Sequence, residues 1–251
     1  MRNIIEIRNL TMKFGELIAN EDVSFDIEHE HIVSLIGPNG AGKTTLFNCV
    51  TGFYKPCSGQ VTYYPEEDNK VDITGQPTHK ICKLGITRTF QIVKTLSEMT
   101  VEQNVMAGAF LHTNRTSEAR ELARHILEQT GLTQKRDELG RNLTVAERKR
   151  VEIARALATN PQVLMLDECM AGLNQTEIKD VMNLILKLKD SGQTLLIVEH
   201  IMEAIMPISD KVVVLSSGKK IAEGSPQDIA NNDDVIKAYL GEKYHAKSKK
   251  S

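Results

Sequence analysis

Residues 31–45 read His31-Ile32-Val33-Ser34-Leu35-Ile36-Gly37-Pro38-Asn39-Gly40-Ala41-Gly42-Lys43-Thr44-Thr45. A short apolar run turns into GPNGAGKT, which satisfies the pattern G-x-x-x-x-G-K-[ST] at every fixed position. Glycines let successive backbone N–H groups turn inward around an anion. A helix is expected to open at Lys43-Thr44-Thr45-Leu46, and its first amides favour the same negative charge. In such a loop the lysine reaches the β- and γ-phosphates, and a hydroxyl at Thr44 holds Mg²⁺. The apolar strand before the loop, and Leu46, Phe47 and Val50 after it, supply a strand–loop–helix context that a chance glycine-rich turn lacks. The loop predicts a nucleoside triphosphate, but not the process that its hydrolysis drives.

The surrounding chain narrows the class. Its 251 residues suffice for one large or two modest domains with a sizeable core. A net charge of −2 argues against nucleic acid as a partner. The basic cluster Lys247-Ser248-Lys249-Lys250 reads as a solvated end. Cys49, Cys57, Cys82 and Cys169 form no C-x-x-C pair, which fits a reducing compartment and neither a disulfide framework nor a zinc site. Met1-Arg2-Asn3-Ile4-Ile5-Glu6 lacks a signal-peptide pattern, and no run approaches the ~18 apolar residues of a membrane span.

Upstream of the loop, Ile5, Ile7 and Leu10 alternate, and Val23, Phe25 and Ile27 resume the alternation. Between them, Gly15 and the polar Asn20-Glu21-Asp22 read as breaks. Phe14 is either an ordinary strand-core residue or a ring available to stack on a base. Downstream, Gln60-Val61-Thr62-Tyr63-Tyr64 reads as a strand, residues 66–70 as a hairpin tip, and 77–85 as a short helix stopped by Gly85. Thr100 opens a helix, and Ser117–Gln129 forms another, with Ser117 as its cap and Gly131 as its stop. Residues 92–140 thus stand out as a helical insertion.

Thr144 followed by Glu147 is a capping box before a helix that buries Ile153, Ala154 and Leu157 and turns its basic residues outward. Val163-Leu164-Met165-Leu166-Asp167-Glu168 is an apolar strand ending in two acids, at the carboxyl edge where open α/β sheets place ligands. Asp167 is suited to the Mg²⁺ environment, and Glu168 to orienting or deprotonating an attacking water. Thr194–Val198 is a second such strand and delivers His200 to the same kind of edge. There the imidazole is either a γ-phosphate sensor or a strand-end residue without a ligand. Gln91 alone carries little meaning.

Taken in order, these motifs resemble the ATP-binding subunit of ABC transporters over nearly the full length. GPNGAGKT at 37–44, Gln91 after Thr89-Phe90, a signature-like segment at 143–147, VLMLDE at 163–168, AGLN at 171–174 and His200 carry the resemblance. TGFYKPCSG, GITRTFQ and the closing VIKAYLG look like the larger ATPase of branched-chain amino-acid importers. The resemblance implies an α/β P-loop cassette with a mixed or parallel core sheet, an N-terminal antiparallel β subdomain and an inserted helical subdomain. It implies one ABC domain over 1–251: a RecA-like core with its β subdomain at 1–91 and 141–241, a helical subdomain at 92–140, and a polar tail at 242–251.

It further implies ATP and Mg²⁺ as ligands, with Gly37, Pro38, Asn39, Gly40, Ala41, Gly42, Lys43, Thr44 and Thr45 around the phosphates and Phe14 on the adenine. Thr44, Gln91 and Asp167 would serve the metal, and Glu168, His200, Gln91 and Lys43 the chemistry. Leu143, Thr144, Val145, Ala146 and Glu147 would close on ATP held by a second ABC ATPase subunit, in a heterodimer or a homodimer. Two transmembrane permease subunits and an extracytoplasmic solute-binding protein complete the implied assembly, which places this chain on the cytoplasmic face of the inner membrane.

The departure lies at 143–147, where Leu-Thr-Val-Ala-Glu stands for the family's Leu-Ser-Gly-Gly-Gln. Ala146 puts a Cβ where the family's bare backbone approaches phosphate, and Glu147 brings a carboxylate. The partner's ATP site is therefore expected to be weakened or slow. Cys169 also replaces a proline after the glutamate. Alternative readings are a motor for urea, amides, lipid or lipopolysaccharide, a degenerate regulatory cassette, or an ATPase of DNA repair or translation. The last would need a coiled-coil insertion or tandem cassettes, which the chain lacks.

Overall fold

The computed structural model describes residues 2–90 and 95–240. Gln91 and the tail from 241 onward lie outside the described residues. In chain order the first elements are β1 (Asn3–Phe14), β2 (Leu17–Glu28), β3 (Ile32–Ile36), α1 (Lys43–Val50), β4 (Ser58–Glu66) and β5 (Asn69–Asp72). Then follow α2 (Thr78–Leu84), β6 (Ile86–Arg88), α3 (Val101–Ala109), α4 (Thr116–Gln129), α5 (Val145–Leu157), β7 (Val163–Asp167) and α6 (Gln175–Asp190). The chain closes with β8 (Thr194–Val198), α7 (Met202–Ile205), β9 (Lys211–Ser216), β10 (Lys219–Gly224), α8 (Pro226–Ala230) and α9 (Asp233–Leu240). It divides into two compact units, 1–78 with 196–251 and 79–195.

The first unit holds an antiparallel sheet in the order β2-β1-β4-β5. Alternation sets its register: Ile5 pairs with Ile27 and Tyr63, and Ile7 with Phe25 and Val61, all on the buried face. The polar Asn20-Glu21-Asp22 does not break the chain, contrary to the expectation. It lies inside β2, where the ladder shifts register, and Asn20 is fully buried. In the same unit β3 runs parallel to β9, with β10 antiparallel on the other side of β9. Every residue of β3 is buried, the pattern of a strand covered on both faces. Its one polar member, Ser34, meets the Ser209 hydroxyl at 2.6 Å.

The second unit pairs β6 with β7 in parallel, Ile86 opposite Val163 and Arg88 opposite Met165. Around this pair the unit is helical. Gly108 of α3 lies so close to α5 that a Cβ there would sit 2.2 Å from the Arg155 carbonyl oxygen. Ala119, Ala123, Ile126 and Leu127 form the buried stripe of α4. That helix begins at Thr116 with Arg115 at its cap position, two residues before the Ser117 cap expected from the sequence. It ends before Gly131, which takes φ +68° as expected. Helix α3 is closed by the box of Thr100 and Gln103.

Candidate active site

In the first unit the loop after β3 is held from several sides. Gly37 sits at φ +152°, and a Cβ on it would lie 2.1 Å from the Leu215 carbonyl oxygen of β9. Gly42 takes φ +97° beneath Ala19 and Asn20 of β2. Asn20 Nδ2 donates to the Gly42 carbonyl at 3.2 Å. The Gly218 N–H donates to the Ala41 carbonyl at 3.1 Å, while the Gly218 carbonyl accepts from the Glu21 N–H at 2.8 Å. The β9–β10 turn and β2 therefore brace one loop. This explains why a buried asparagine sits in β2, and only the assembled fold reveals it.

Helix α1 starts at Lys43, as the loop motif required, with left-handed Gly42 before it. No side chain caps it, and its first turn carries no acid. A helix start without a capping side chain or an acid in its first turn is suited to an anion. Lys43 is buried, and its ammonium donates to the Gly37 and Pro38 carbonyls at 2.7 and 3.0 Å, which holds it over the loop. Asn39 and Gly40 are exposed at the tip.

Phe14 ends β1 at the Gly15 turn and is 43% exposed, so it is not a core residue. Tyr54 meets it edge-on, with centroids 5.3 Å apart. Tyr54 was not singled out in the sequence, because its loop reads only as a turn. The Phe53 and Tyr54 N–H groups both donate to the Asn48 carbonyl near the end of α1. His200 follows β8 with an exposed ring, behind a fully buried Glu199 whose Oε2 accepts the His200 backbone N–H at 3.2 Å.

In the second unit β7 delivers Asp167 and Glu168. Asp167 is almost fully buried, its N–H donates to Thr89 Oγ1 at 3.2 Å, and Arg88 Nη2 approaches its Oδ2 at 3.4 Å. Burial pulls the Arg88 pKa down, against the opposing pull of Asp167 and Glu152. Glu168 bends the chain at φ +48°, a left-handed conformation uncommon for a non-glycine residue. Its carbonyl accepts from Lys149 Nζ at 2.7 Å. Lys149 is buried, which corrects the expectation that the basic residues of α5 all face outward. Glu152 is buried as well. Burial pushes its carboxyl above the ordinary value, opposed by the Phe90 N–H and by Arg155, Lys149 and Arg88.

The segment before α5 forms the expected capping box. Thr144 Oγ1 accepts from the Glu147 N–H at 3.3 Å, and Glu147 Oε2 accepts from the Thr144 N–H at 2.8 Å. The Thr144 amide, with Lys135 behind it, holds the Glu147 carboxyl below its ordinary value against a smaller opposing push from burial. Leu143 is buried, Val145 is 57% exposed, and Ala146 is half-buried. Asn174 caps α6 in the same manner, with Glu177 as its partner.

The phosphate-loop geometry and the acid-terminated strand coincide with a family match: the family model described as ABC transporter covers residues 20–171. The chain belongs to the ABC transporter family. A second model, Branched-chain amino acid ATP-binding cassette transporter, matches residues 219–245. The high-affinity branched-chain amino acid transport ATP-binding protein BraF of Pseudomonas aeruginosa is 43% identical, over 96% of this chain and 99% of that protein. LivG of Salmonella typhimurium, of the same description, is 42% identical over 95% and 98%. A crystal structure of the ADP conformation of an ATP-binding cassette superposes with a TM-score of 0.86 at 33% identity, covering 96% of this chain and all of that one. The fold is thus that of an ABC cassette: a P-loop core with mixed and parallel strands, an N-terminal antiparallel subdomain and an inserted helical subdomain. The chain is an ATPase of that family. Among the described residues no helix is long and apolar enough to cross a membrane.

Proposed function

We propose that this chain hydrolyses ATP to drive import of branched-chain amino acids. The observation that carries the reading is the match of residues 219–245 to the branched-chain cassette model, on a chain whose phosphate loop and acid-terminated strand are intact. The names borne by relatives 42–43% identical over nearly the whole length support it.

In this reading the amides of 40–45 and the ammonium of Lys43 bind the phosphates, and Phe14 stacks on adenine with Tyr54 behind it. Mg²⁺ binds with few protein ligands and several waters, so a hydroxyl at Thr44 and the carboxylate of Asp167 suit it, with Gln91 as a further ligand. Among the described residues no group of three or more His, Cys, Asp or Glu side chains could hold a metal ion. When bound, Mg²⁺ neutralises charge between the phosphates. Glu168 orients water and takes its proton as the water attacks the γ-phosphorus, and His200 holds the γ-phosphate oxygens.

Residues 143–147 close on ATP bound to a second ABC subunit, so each hydrolytic site needs two chains. Two permease subunits receive the motion, and a solute-binding protein on the far side of the membrane delivers cargo that never touches this chain. The chain then sits peripherally on the cytoplasmic face of the membrane.

The test is steady-state ATPase of the transporter co-purified through the full-length chain. Leucine or valine, presented on the binding protein, is expected to stimulate turnover. Glu168→Gln should lower it about 100-fold or more with ATP still bound. Stimulation only by a different solute would refute the cargo, and undiminished turnover by Glu168→Gln would refute the base.

A further inference from the structure

Helix α5 begins at the segment 144–147 and, one turn on, presents two buried charges. Lys149 and Glu152 stand three residues apart and so share a face. Lys149 is 7% exposed and Glu152 4%. Each reaches a backbone group: Lys149 Nζ the carbonyl of Glu168 at 2.7 Å, Glu152 Oε1 the N–H of Phe90 at 3.2 Å.

The two recipients matter. Glu168 holds a strained left-handed backbone, which persists only where its surroundings enforce it. Phe90 immediately precedes Gln91 in the chain. A solvated helix face would need neither contact. Two apolar side chains would fill the space without the desolvation that buried charges carry. What the charged pair adds is directional bonding to two particular backbone sites.

We propose that Lys149 and Glu152 make α5 a coupling bar, which ties the backbone of Glu168 and the approach to Gln91 to the helix whose first residues meet the second subunit's ATP. The proposal rests on the reading of Glu168 as the base and extends it. The signature helix gains a direct hold on this chain's own hydrolysis. When 144–147 close on the opposing nucleotide, any shift of α5 is carried by the Lys149 bond into the Glu168 backbone. Lys149 and Glu152 are positioning residues, since they act through Glu168 and the chain before Gln91.

The test is the ATPase of the transporter assembled with full-length variants. Lys149→Met should lower kcat about 10- to 100-fold with KM for ATP unchanged, the scale expected of a displaced catalytic group. Lys149→Arg should recover most of the loss. The double variant Lys149→Met with Glu152→Gln removes both buried charges together, and should show the same kcat loss. Glu168→Gln is measured alongside. Wild-type kcat in both Lys149→Met variants, with Glu168→Gln inactive, would overturn the proposal and leave the base reading standing. An active Glu168→Gln would overturn both. A loss in which KM, Tm and kcat move together, with no rescue by arginine, would mark a purely structural role and also overturn it.

Discussion

Two helix beginnings in this chain treat their free amides in opposite ways. Helix α1 starts after a left-handed glycine, with no capping side chain and no acid in its first turn. Helix α5 starts with Thr144 and Glu147 bonded to each other's backbone, and the carboxylate sits at the helix's positive end. The first terminus is held open by braces from outside: Asn20, Gly218 and the Leu215 carbonyl against Gly37. The second is closed by its own side chains. In the proposed function the open terminus takes this chain's own phosphate, and the self-capped one would have to exchange or share its bonds to serve an anion brought by another subunit. The carboxylate of Glu147, read from the sequence both as a capping-box partner and as a charge brought near phosphate, bonds the Thr144 N–H at the start of its own helix.

The largest expected effect closes the open terminus. Gly42→Ala would bring a Cβ within 2.3 Å of the Ala19 carbonyl oxygen at φ +97°. Strain of about 3 kcal/mol corresponds to about a 100-fold loss of MgATP affinity, read by equilibrium binding. Unchanged affinity would mean that the loop does not need its conformation. Ala146→Gly acts on the other side of the comparison. It should raise the ATPase of the assembled transporter several-fold, about 1 kcal/mol in the barrier, by letting the backbone approach the opposing nucleotide. No change would remove the case that the altered signature slows that site.

Thr144→Ala should destabilise the chain by about 1 kcal/mol and lower Tm by about 2–4 °C, as loss of a cap does. Loss of the same cap at α1 has no counterpart, since none exists. The smallest effect is that of Glu147→Gln on acid stability. The folded-state pKa of Glu147 is depressed, so its contribution is present above the ordinary value of 4.5 and disappears as pH falls through the folded value. Denaturant unfolding of wild type and Glu147→Gln should therefore differ at neutral pH and converge on acidification. A constant difference would place the carboxylate elsewhere.

What the sequence made legible was local. The phosphate loop, the helix start at Thr100, the box at Thr144 and the acid-terminated strand each depend on residues within about eight positions of each other. What it hid depends on partners far along the chain. Asn20 reads as a break in an alternating strand, because its function is to hold Gly42, 22 residues away. Lys149 reads as one more solvated base on an amphipathic helix, because its acceptor is the Glu168 carbonyl, 19 residues on. Tyr54 sits in a turn-rich passage and gains meaning only from Phe14. The roles of Phe14 and His200 came from resemblance; the structure adds that both rings are exposed.

Hydrogen exchange of the purified full-length chain, with and without MgATP, tests the difference between the two termini most directly. The account predicts slowed exchange at the amides of 40–46 and none at 144–148 when no second subunit completes the site. Equal protection at 144–148, or no protection at 40–46, would contradict it.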